Sequence, residues 1–303
     1  LVTTSGGGFA LMSEGISLAG MIETPLVIHL AQRPGPATGL PTRTEQGDLN
    51  LALYAGHGDF PRIILAPGTL EDGFTLTRRA FELSDTFQVP VFILTDQYYV
   101  DTYHDTERFE VPSHAPVKSI IETGPDYKRF AYTDTGISPR GIPGFGSGIV
   151  CVDSDEHDEG GYIIEDAATR INMTDKRLKK NTRILEEAGK PRIIGNPRAG
   201  IMIVAWGSTF NITRDAVLSI GNDDIALVHF TWLFPLPDTT AKIFASANKI
   251  ISVENNASGH FADLLSKATG LRITERILKY DGRPFSVEEL TTAISARCME
   301  DPA

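Results

Sequence analysis

Residues 62–96 read RIILAPGTLEDGFTLTRRAFELSDTFQVPVFILTD and contain two apolar runs separated by an amphipathic segment. The runs Arg62–Leu65 and Val89–Thr95 are rich in branched aliphatic residues and predict buried strands. Between them, Glu71–Phe87 has the spacing of an amphipathic helix, with acidic residues in its first turn, as the helix dipole favours. A strand, a helix and a second strand in this order are typical of a parallel sheet covered by helices.

The same alternation continues on both sides of this unit and predicts an α/β protein with two parallel-sheet domains. The other predicted helices are Gly6–Gly20, Asp48–Ala55, Asn172–Ala188, Asn211–Ile220, Asp238–Ala247, Phe261–Thr269 and Ser286–Ala296, and the other predicted strands are Leu26–Leu30, Ile201–Ala205, Ile225–Phe230, Ile250–Glu254 and Arg272–Leu278.

A long connector without periodicity separates the two halves. Residues 97–165 carry scattered Pro, Gly and Asp, which predicts turns, and a stretch of this length is usually functional or an interaction surface. GFGSG at Gly144–Gly148 is interpreted as a plain turn. Residues 153–166 hold seven acids, whereas residues 167–198 hold nine bases. The basic helix Lys176–Arg183 is predicted to be a solvated or subunit-facing surface.

The composition excludes several classes of protein. The 303 residues include 28 basic and 39 acidic side chains, and the net charge of −11 argues against a nucleic-acid partner. We predict no membrane span, because no apolar run approaches about 20 residues. Cys151 and Cys298 lie far apart without a CxxC motif, so we expect a reducing, cytoplasmic setting and no zinc or iron–sulfur site. The start at Leu1 and the lack of a basic leader are expected of a piece lacking its N-terminal part.

A glycine-rich segment precedes the first predicted helix. Thr3–Ala10 reads TTSGGGFA, and backbone N–H groups in such a turn can face an anion or a cofactor. The alternative is a helix N-cap followed by close packing of the helix on the sheet. The residues alone do not decide between the two.

The loop Ala31–Asp48 follows a predicted strand directly, where open α/β sheets bind their ligands. Its prolines and glycines restrict the shape of the loop. Arg33 can hold a carboxylate with two parallel hydrogen bonds. Alternatively, Arg33 pairs with Glu45 or Asp48 and only ties the loop together.

Two further polar groups end predicted strands. Asp96 directly follows the predicted strand Val89–Thr95. It either belongs to a ligand-binding site or caps the next turn. Glu254-Asn255-Asn256 ends the strand that begins at Ile250, and it holds a ligand or caps the following helix through Asn256 or Ser258.

Asp155–Glu159, DEHDE, is the remaining cluster. It could hold a metal ion, but neighbouring residues in an acidic run converge poorly, so a solvated surface is the favoured interpretation. His157 is its member most suited to a role. The motifs GxxxxGK[ST], GxGxxG, HExxH and GxSxG are all missing from the sequence.

Five segments together resemble the α subunit of 2-oxoacid:ferredoxin oxidoreductases, most closely the 2-oxoglutarate type. They are TTSGGGFALMSEGISLAGM from Thr3, QRPGPATGLPTRTEQGDL from Gln32, LTDQYY from Leu94, DEHDEGG from Asp155 and VENNASGHF from Val253. The similarity spans nearly the whole chain, and the loop with Arg33 is its most specific part.

The resemblance implies CoA-dependent oxidative decarboxylation of a 2-oxoacid to an acyl-CoA and CO2, with reduction of ferredoxin. The 2-oxoacid that it implies is 2-oxoglutarate. It implies thiamine diphosphate shared with a β subunit, which also holds magnesium and an iron–sulfur cluster, in an αβ or (αβ)2 assembly. It further implies a pyrimidine-type thiamine diphosphate-binding domain over 1–130, a connector over 131–198 and a transketolase C-terminal-like domain over 199–303.

The resemblance also implies roles for individual residues. Arg33 corresponds to an arginine that grips the substrate carboxylate and is the predicted catalytic residue. The predicted substrate-binding residues are Arg33, Thr38, Gly39 and Thr42, the predicted cofactor-binding residues are Ser5, Gly6, Gly7, Gly8 and Gln46, and no metal ligand is predicted.

One departure from the family matters. Its members carry, before the TTSGGGF segment, a YPITPS-like turn and a glutamate that activates thiamine diphosphate by proton exchange. Glu14 and Glu23 do not fit that motif. Two alternatives therefore stay open, which are the β-type chain of a lipoate-linked 2-oxoacid dehydrogenase and a non-catalytic binding subunit.

Overall fold

The computed structural model describes residues 1–111, 119–273 and 275–299, in which two five-stranded sheets are present. The strands are β1 Val2–Thr4, β2 Leu26–Gln32, β3 Ile63–Leu65, β4 Pro90–Asp96, β5 Arg192–Ile194, β6 Ile201–Trp206, β7 Ile225–Phe230, β8 Trp232–Phe234, β9 Lys249–Glu254 and β10 Glu275–Leu278. The helices are α1 Gly6–Ala10, α2 Ser13–Met21, α3 Leu49–Tyr54, α4 Leu70–Phe87, α5 Gln97–Asp101, α6 Ala167–Glu186, α7 Phe210–Ile220, α8 His260–Thr269 and α9 Val287–Met299, with 3-10 helices at Gly207–Thr209 and Asp238–Phe244.

The first sheet has the order β1-β2-β4-β3-β8 and is parallel except for β8. Its central strand β4 is buried along its whole length, as expected for a parallel sheet covered on both faces. The predicted strand–helix–strand unit is confirmed. Its helix α4 begins with a capping box, in which Asp72 N donates to Thr69 Oγ1 and Thr69 N donates to Asp72 Oδ2.

The second sheet has the order β10-β9-β6-β7-β5 and is parallel except for β5. In each sheet, the antiparallel edge strand comes from a part of the chain outside the predicted domain to which the other strands of that sheet belong. β5 belongs to the predicted connector, and β8 follows β7 in the chain yet pairs with β3. The predicted α/β class with two parallel sheets is confirmed, whereas the domain boundaries at 130 and 199 stay predictions.

A shared core joins the two sheets. Apolar side chains from the first sheet, such as Ile28 and Phe92, belong to the same buried cluster as Val204, Phe230 and Phe261 of the second half. Separate clusters cover the outer face of each sheet. The carboxyl ends of both sheets are thereby held next to each other by continuous packing.

Several predicted boundaries are corrected. The prediction of a single helix over Gly6–Gly20 is wrong, because the helix is interrupted after Ala10. The first helix is weak, since it begins with three glycines and its N-cap residue makes no side-chain hydrogen bond. The α-helix over Asp238–Ala247 is a 3-10 helix, of which only Thr240 and Phe244 reach the core. The strand predicted from Arg272 begins at Glu275, and Thr274 lies outside the described residues.

The prediction of a solvated basic helix is wrong for three of its side chains, whereas Lys179 and Arg183 are exposed as predicted. On α6, Lys176 and Lys180 are buried and approach Glu23 at 2.5 and 2.6 Å, while Arg177 is buried against Glu156. The helix begins at Ala167, earlier than predicted, with Asp166 Oδ1 accepting from Thr169 N. Two lysines can be buried here because an equally buried carboxylate is their partner.

The connector packs on the first half of the chain. Residues 112–118, within its predicted irregular part, lie outside the described residues. Gly146 has a φ of 104° and sits directly on the backbone of Thr123, which agrees with the turn predicted at Gly144–Gly148. Among the helices of the described ranges, none is long and apolar enough to cross a membrane.

Candidate active site

The loop of residues 33–48, hereafter the Arg33 loop, leaves β2 at the carboxyl end of the first sheet. β2 ends at Gln32, which is in register with Asp96 at the end of β4. β6 and β9 of the second sheet end at Trp206 and Glu254. The Arg33 loop contacts both sheets at these ends, which is where ligands of open α/β sheets bind.

Gln46 fastens the Arg33 loop to the second sheet. Its Nε2 donates to Trp206 O at 2.8 Å, and its Oε1 accepts from Asn255 N at 2.9 Å. Its backbone N–H donates to Asn255 O at 2.7 Å, and Asn256 Nδ2 donates to Gln46 O at 3.2 Å. Gln46 is fully buried, and both polar atoms of its amide bind the second sheet, so it holds the loop, and its assignment to the cofactor stays a prediction.

Asp96 is a buried structural carboxylate. It accepts hydrogen bonds from Ser208 Oγ and, at 2.9 Å, from Tyr99 N, which caps α5. Burial raises the pKa of the Asp96 carboxyl, and these hydrogen bonds oppose the shift. Thr44 Oγ1 accepts from Tyr98 N at 3.1 Å, so the capped turn also holds the Arg33 loop.

The polar triplet at the end of β9 caps the following helix through Glu254, and not through Asn256 or Ser258 as one of its two interpretations had it. Asn256 Oδ1 accepts from Ser258 N and Gly259 N at 3.1 and 2.7 Å. Glu254 adds a contribution that the sequence did not suggest, because its carboxylate accepts from the first backbone N–H groups of α8 and from Trp206 Nε1.

Arg33 stands apart from these satisfied groups. Its side chain is half-buried, and within the described ranges it has no hydrogen bond and no ion pair within 4.0 Å. The alternative of a tying ion pair with Glu45 or Asp48 is therefore not realised. Burial raises the pKa of Asp48 to about 6, and the Arg33 guanidinium opposes that shift. Arg33 thus presents unpaired donors at the sheet edge.

The predicted substrate residues lie on the same loop as Arg33. Thr38, Gly39 and Thr42 are exposed on the Arg33 loop. Gly39 has a φ of 51°, and a Cβ there would overlap the carbonyl of Pro34, so this tight turn requires glycine. Thr38 and Thr42 are solvent-exposed, and their assignment to the substrate stays a prediction.

The glycine-rich segment packs under the Arg33 loop. A Cβ on Gly6 would lie 2.6 Å from both carboxylate oxygens of Asp48, and one on Gly8 would overlap Thr4 Oγ1. Ser5 holds the N-cap position of α1 without a side-chain hydrogen bond. Close packing therefore explains Gly6 and Gly8, whereas Gly7 is exposed, with only Ala37 O at 4.0 Å from its Cβ position.

Two supporting residues were missed from the sequence. Gln32 Oε1 accepts from Asp48 N at 3.0 Å, and Gln32 Nε2 donates to Thr95 O at 3.3 Å, so the last residue of β2 positions Asp48. Ser208 holds Asp96 from the second sheet. Gln32 could have been found from its place at a strand end, but the partner of Ser208 lies too far along the chain for any local pattern.

The acidic cluster does not form a metal site. Glu156 binds Arg177 through both carboxylate oxygens at 2.9 and 2.8 Å, and also binds Arg170. Burial alone would raise the pKa of Glu156, but the two guanidinium groups outweigh it and lower this pKa to about 2. His157 is buried against the ring of Phe130, with ring centroids 3.9 Å apart. In the described ranges, no group of three or more His, Cys, Asp or Glu side chains could hold a metal ion.

Comparison with known proteins identifies the family. Residues 1–176 match the family described as pyruvate flavodoxin/ferredoxin oxidoreductase, thiamine diP-bdg. The chain is 38% identical to the α subunit of 2-oxoacid:ferredoxin oxidoreductase 1 from Sulfurisphaera tokodaii, covering 96% of this chain and 47% of that subunit. It is 30% identical to the 2-oxoglutarate synthase subunit KorA of Methanothermobacter thermautotrophicus, covering 97% of this chain and 79% of KorA.

A solved structure agrees with this assignment. The 2-oxoglutarate:ferredoxin oxidoreductase from Magnetococcus marinus, with 2-oxoglutarate, coenzyme A and succinyl-CoA bound, superposes with a TM-score of 0.83 at 29% identity, covering 97% of this chain and 52% of that one. The present chain belongs to the pyruvate flavodoxin/ferredoxin oxidoreductase family. It spans about half the length of the first curated relatives that it matches.

Proposed function

We propose that this chain forms part of the α subunit of a CoA-dependent 2-oxoacid:ferredoxin oxidoreductase, with 2-oxoglutarate as its substrate. The observation that carries the proposal is the Arg33 guanidinium, which is half-buried, unpaired and held at the carboxyl ends of two sheets. The similarity to 2-oxoacid and 2-oxoglutarate enzymes supports the choice of substrate.

Arg33 binds the substrate carboxylate in this proposal. A guanidinium in a partly dry site forms short, charge-assisted hydrogen bonds with a carboxylate and fixes its orientation. In this proposal Thr38 and Thr42, which are exposed on the same loop as Arg33, bind further oxygen atoms of the substrate, and Gly39 keeps the turn tight. Because Gln46 fastens the loop to the second sheet, the guanidinium is positioned before the substrate arrives.

The glycine-rich segment fits one part of thiamine diphosphate. Gly7 and Gly8 form an exposed backbone edge without side chains, which a flat ring can approach closely, and Ser5 adds a hydroxyl group. Gly6 is covered by Asp48 and shapes the site from beneath. Thiamine diphosphate, when bound, supplies the carbon nucleophile that condenses with an oxo group. In this proposal the β subunit holds the magnesium ion of the diphosphate.

The remaining parts of the reaction are also assigned to the assembly. A β subunit carries the iron–sulfur cluster that passes electrons to ferredoxin, and CoA accepts the acyl group. The active site lies between the two chains of an αβ or (αβ)2 assembly in the cytoplasm. The naming of the relatives as α subunits supports the need for a second chain.

CoA-dependent reduction of a viologen dye tests the proposed function. The full-length α chain is purified together with the β chain encoded beside it and assayed against a panel of 2-oxoacids. We expect reduction that requires both chains and CoA, with 2-oxoglutarate as the best substrate. Acyl transfer to a lipoyl domain without dye reduction would favour the lipoate-linked alternative. No turnover by a folded, cofactor-loaded complex would favour a non-catalytic subunit.

A further inference from the structure

Asp48 occupies a helix cap position without capping the helix. It precedes α3, where an aspartate usually accepts a backbone hydrogen bond that stabilises the helix, yet its side chain makes no such bond. Instead the carboxylate lies over Gly6, where the missing Cβ leaves room for both oxygens. The local helix therefore does not account for the orientation of this side chain.

Asp48 and Arg33 each bury an unpaired polar atom. Oδ2 of Asp48 and Nε of Arg33 are both shielded from water without a hydrogen-bond partner in the described ranges. The two groups interact electrostatically, but no nitrogen of Arg33 approaches an oxygen of Asp48 within 4.0 Å. A buried polar group without a hydrogen-bond partner destabilises the protein. A ligand that reaches both groups removes both costs at once.

We propose that Asp48 is a second ligand-contacting residue of the Arg33 site, and that it binds the 2-oxoacid in its protonated form, so that substrate binding takes up a proton. This inference rests on the proposed function. The carboxylate and oxo oxygens of a 2-oxoacid are all hydrogen-bond acceptors, so a carboxyl group beside them must donate. A protonated Asp48 supplies that donor, whereas the ionised form repels the substrate.

The surroundings of Asp48 make protonation feasible near neutral pH. Burial already raises its pKa to about 6, and a second carboxylate held by Arg33 raises the pKa further. The charged groups that face Asp48 are Arg33, which opposes the shift, and Glu45 of the same loop, whose own pKa is raised by burial and by Asp48. The packed helices α1 and α3 carry no charged side chain. Glu45 is thus the matched control.

Calorimetry of the full-length αβ complex tests the inference. The probe is glutarate, a dicarboxylate that lacks the oxo group and cannot react, titrated at about pH 7.5 in two buffers of different ionisation enthalpy. We expect wild type to take up a large fraction of one proton per bound glutarate. Asp48→Asn, which keeps the size of the side chain, should bind glutarate without proton uptake, whereas Glu45→Gln should retain the uptake.

Wild type alone provides a second measurement that does not depend on the folding of a variant. Proton uptake should fall as the pH is lowered through about 6 and be nearly absent at about pH 5, because Asp48 is then protonated before glutarate binds. Glutarate binding at about pH 7.5 without uptake, or unchanged uptake in Asp48→Asn, would overturn the inference while 2-oxoglutarate-dependent dye reduction still supports the function. If the complex shows no glutarate binding and no dye reduction, the proposed function is overturned, and the inference with it.

Discussion

Two groups of buried charge in this molecule differ in whether their charges have partners. Glu23 lies between Lys176 and Lys180 with short ion pairs to both, and all three side chains are almost fully buried. Arg33 and Asp48 also carry buried polar atoms, but those atoms have no partner in the described ranges. Paired buried charges hold the connector helix to the first half of the chain, whereas the unpaired ones lie at the accessible sheet edge where we propose that a ligand binds.

Removing the central carboxylate of the paired group should have the largest effect on stability. We expect Glu23→Gln to lower the free energy of unfolding by about 3–5 kcal/mol, because Lys176 and Lys180 then remain buried without a counter-charge. Urea unfolding followed by circular dichroism measures this change. Glu14→Gln, at an exposed glutamate whose partner is the exposed His57, serves as the control. A loss below about 1 kcal/mol in Glu23→Gln would contradict the structural role of the cluster.

The fold was largely predictable because its pattern is local. The run–helix–run pattern of residues 62–96 lies within one short segment, and the strand end at Asp96 follows directly from it, whereas the strand predicted to end at Leu30 extends to Gln32. The position of Arg33 at a ligand-binding edge was predictable for the same reason. The helix break after Ala10 was not, because weak propensity in three glycines decides it.

What the sequence could not predict depends on distant partners. Lys176 and Lys180 appear in a basic run that is normally solvated, and only the fold brings them to Glu23. Gln46 appears as one more polar loop residue, yet its amide bonds to Trp206 and Asn255 on the other sheet. In both cases the local sequence favours exposure, and tertiary packing reverses it.

Substitution of the unpaired arginine should reduce activity with little effect on stability. We expect Arg33→Ala to lower kcat/KM for the 2-oxoacid at least about tenfold, since a charge-assisted contact is worth about 1.5–3 kcal/mol. The thermal midpoint should change little, because Arg33 has no partner to leave unpaired in the described ranges. Arg43→Ala, at an exposed arginine of the same loop, is the control for general loss of positive charge. Unchanged kinetics in Arg33→Ala would exclude the carboxylate-binding role.

Loss of the inter-sheet fastening should affect both stability and activity. We expect Gln46→Ala to destabilise the chain by about 1–3 kcal/mol, because Trp206 O and Asn255 N lose their buried partner. The released loop should raise KM more than it lowers kcat, since Arg33 is mispositioned before binding rather than removed. Thermal unfolding and steady-state kinetics of the αβ complex measure the two effects. A stability loss with wholly normal KM would show that the fastening does not position the loop.

The smallest effect should come from the ion pairs of Glu156, and it should depend on pH. Because Arg177 and Arg170 lower its pKa to about 2, the stabilisation is fully present above the ordinary pKa of 4.5 and is lost as the pH falls towards 2. We expect Glu156→Gln to be less stable than wild type by about 1 kcal/mol near neutral pH, a value limited by solvent screening. The difference should shrink steadily below about pH 4.5 in denaturant unfolding curves. Glu165→Gln, at an exposed acid of the same run, should show no such convergence. If the difference in free energy of unfolding between Glu156→Gln and wild type stays constant down to about pH 3, packing rather than charge determines the size of that difference.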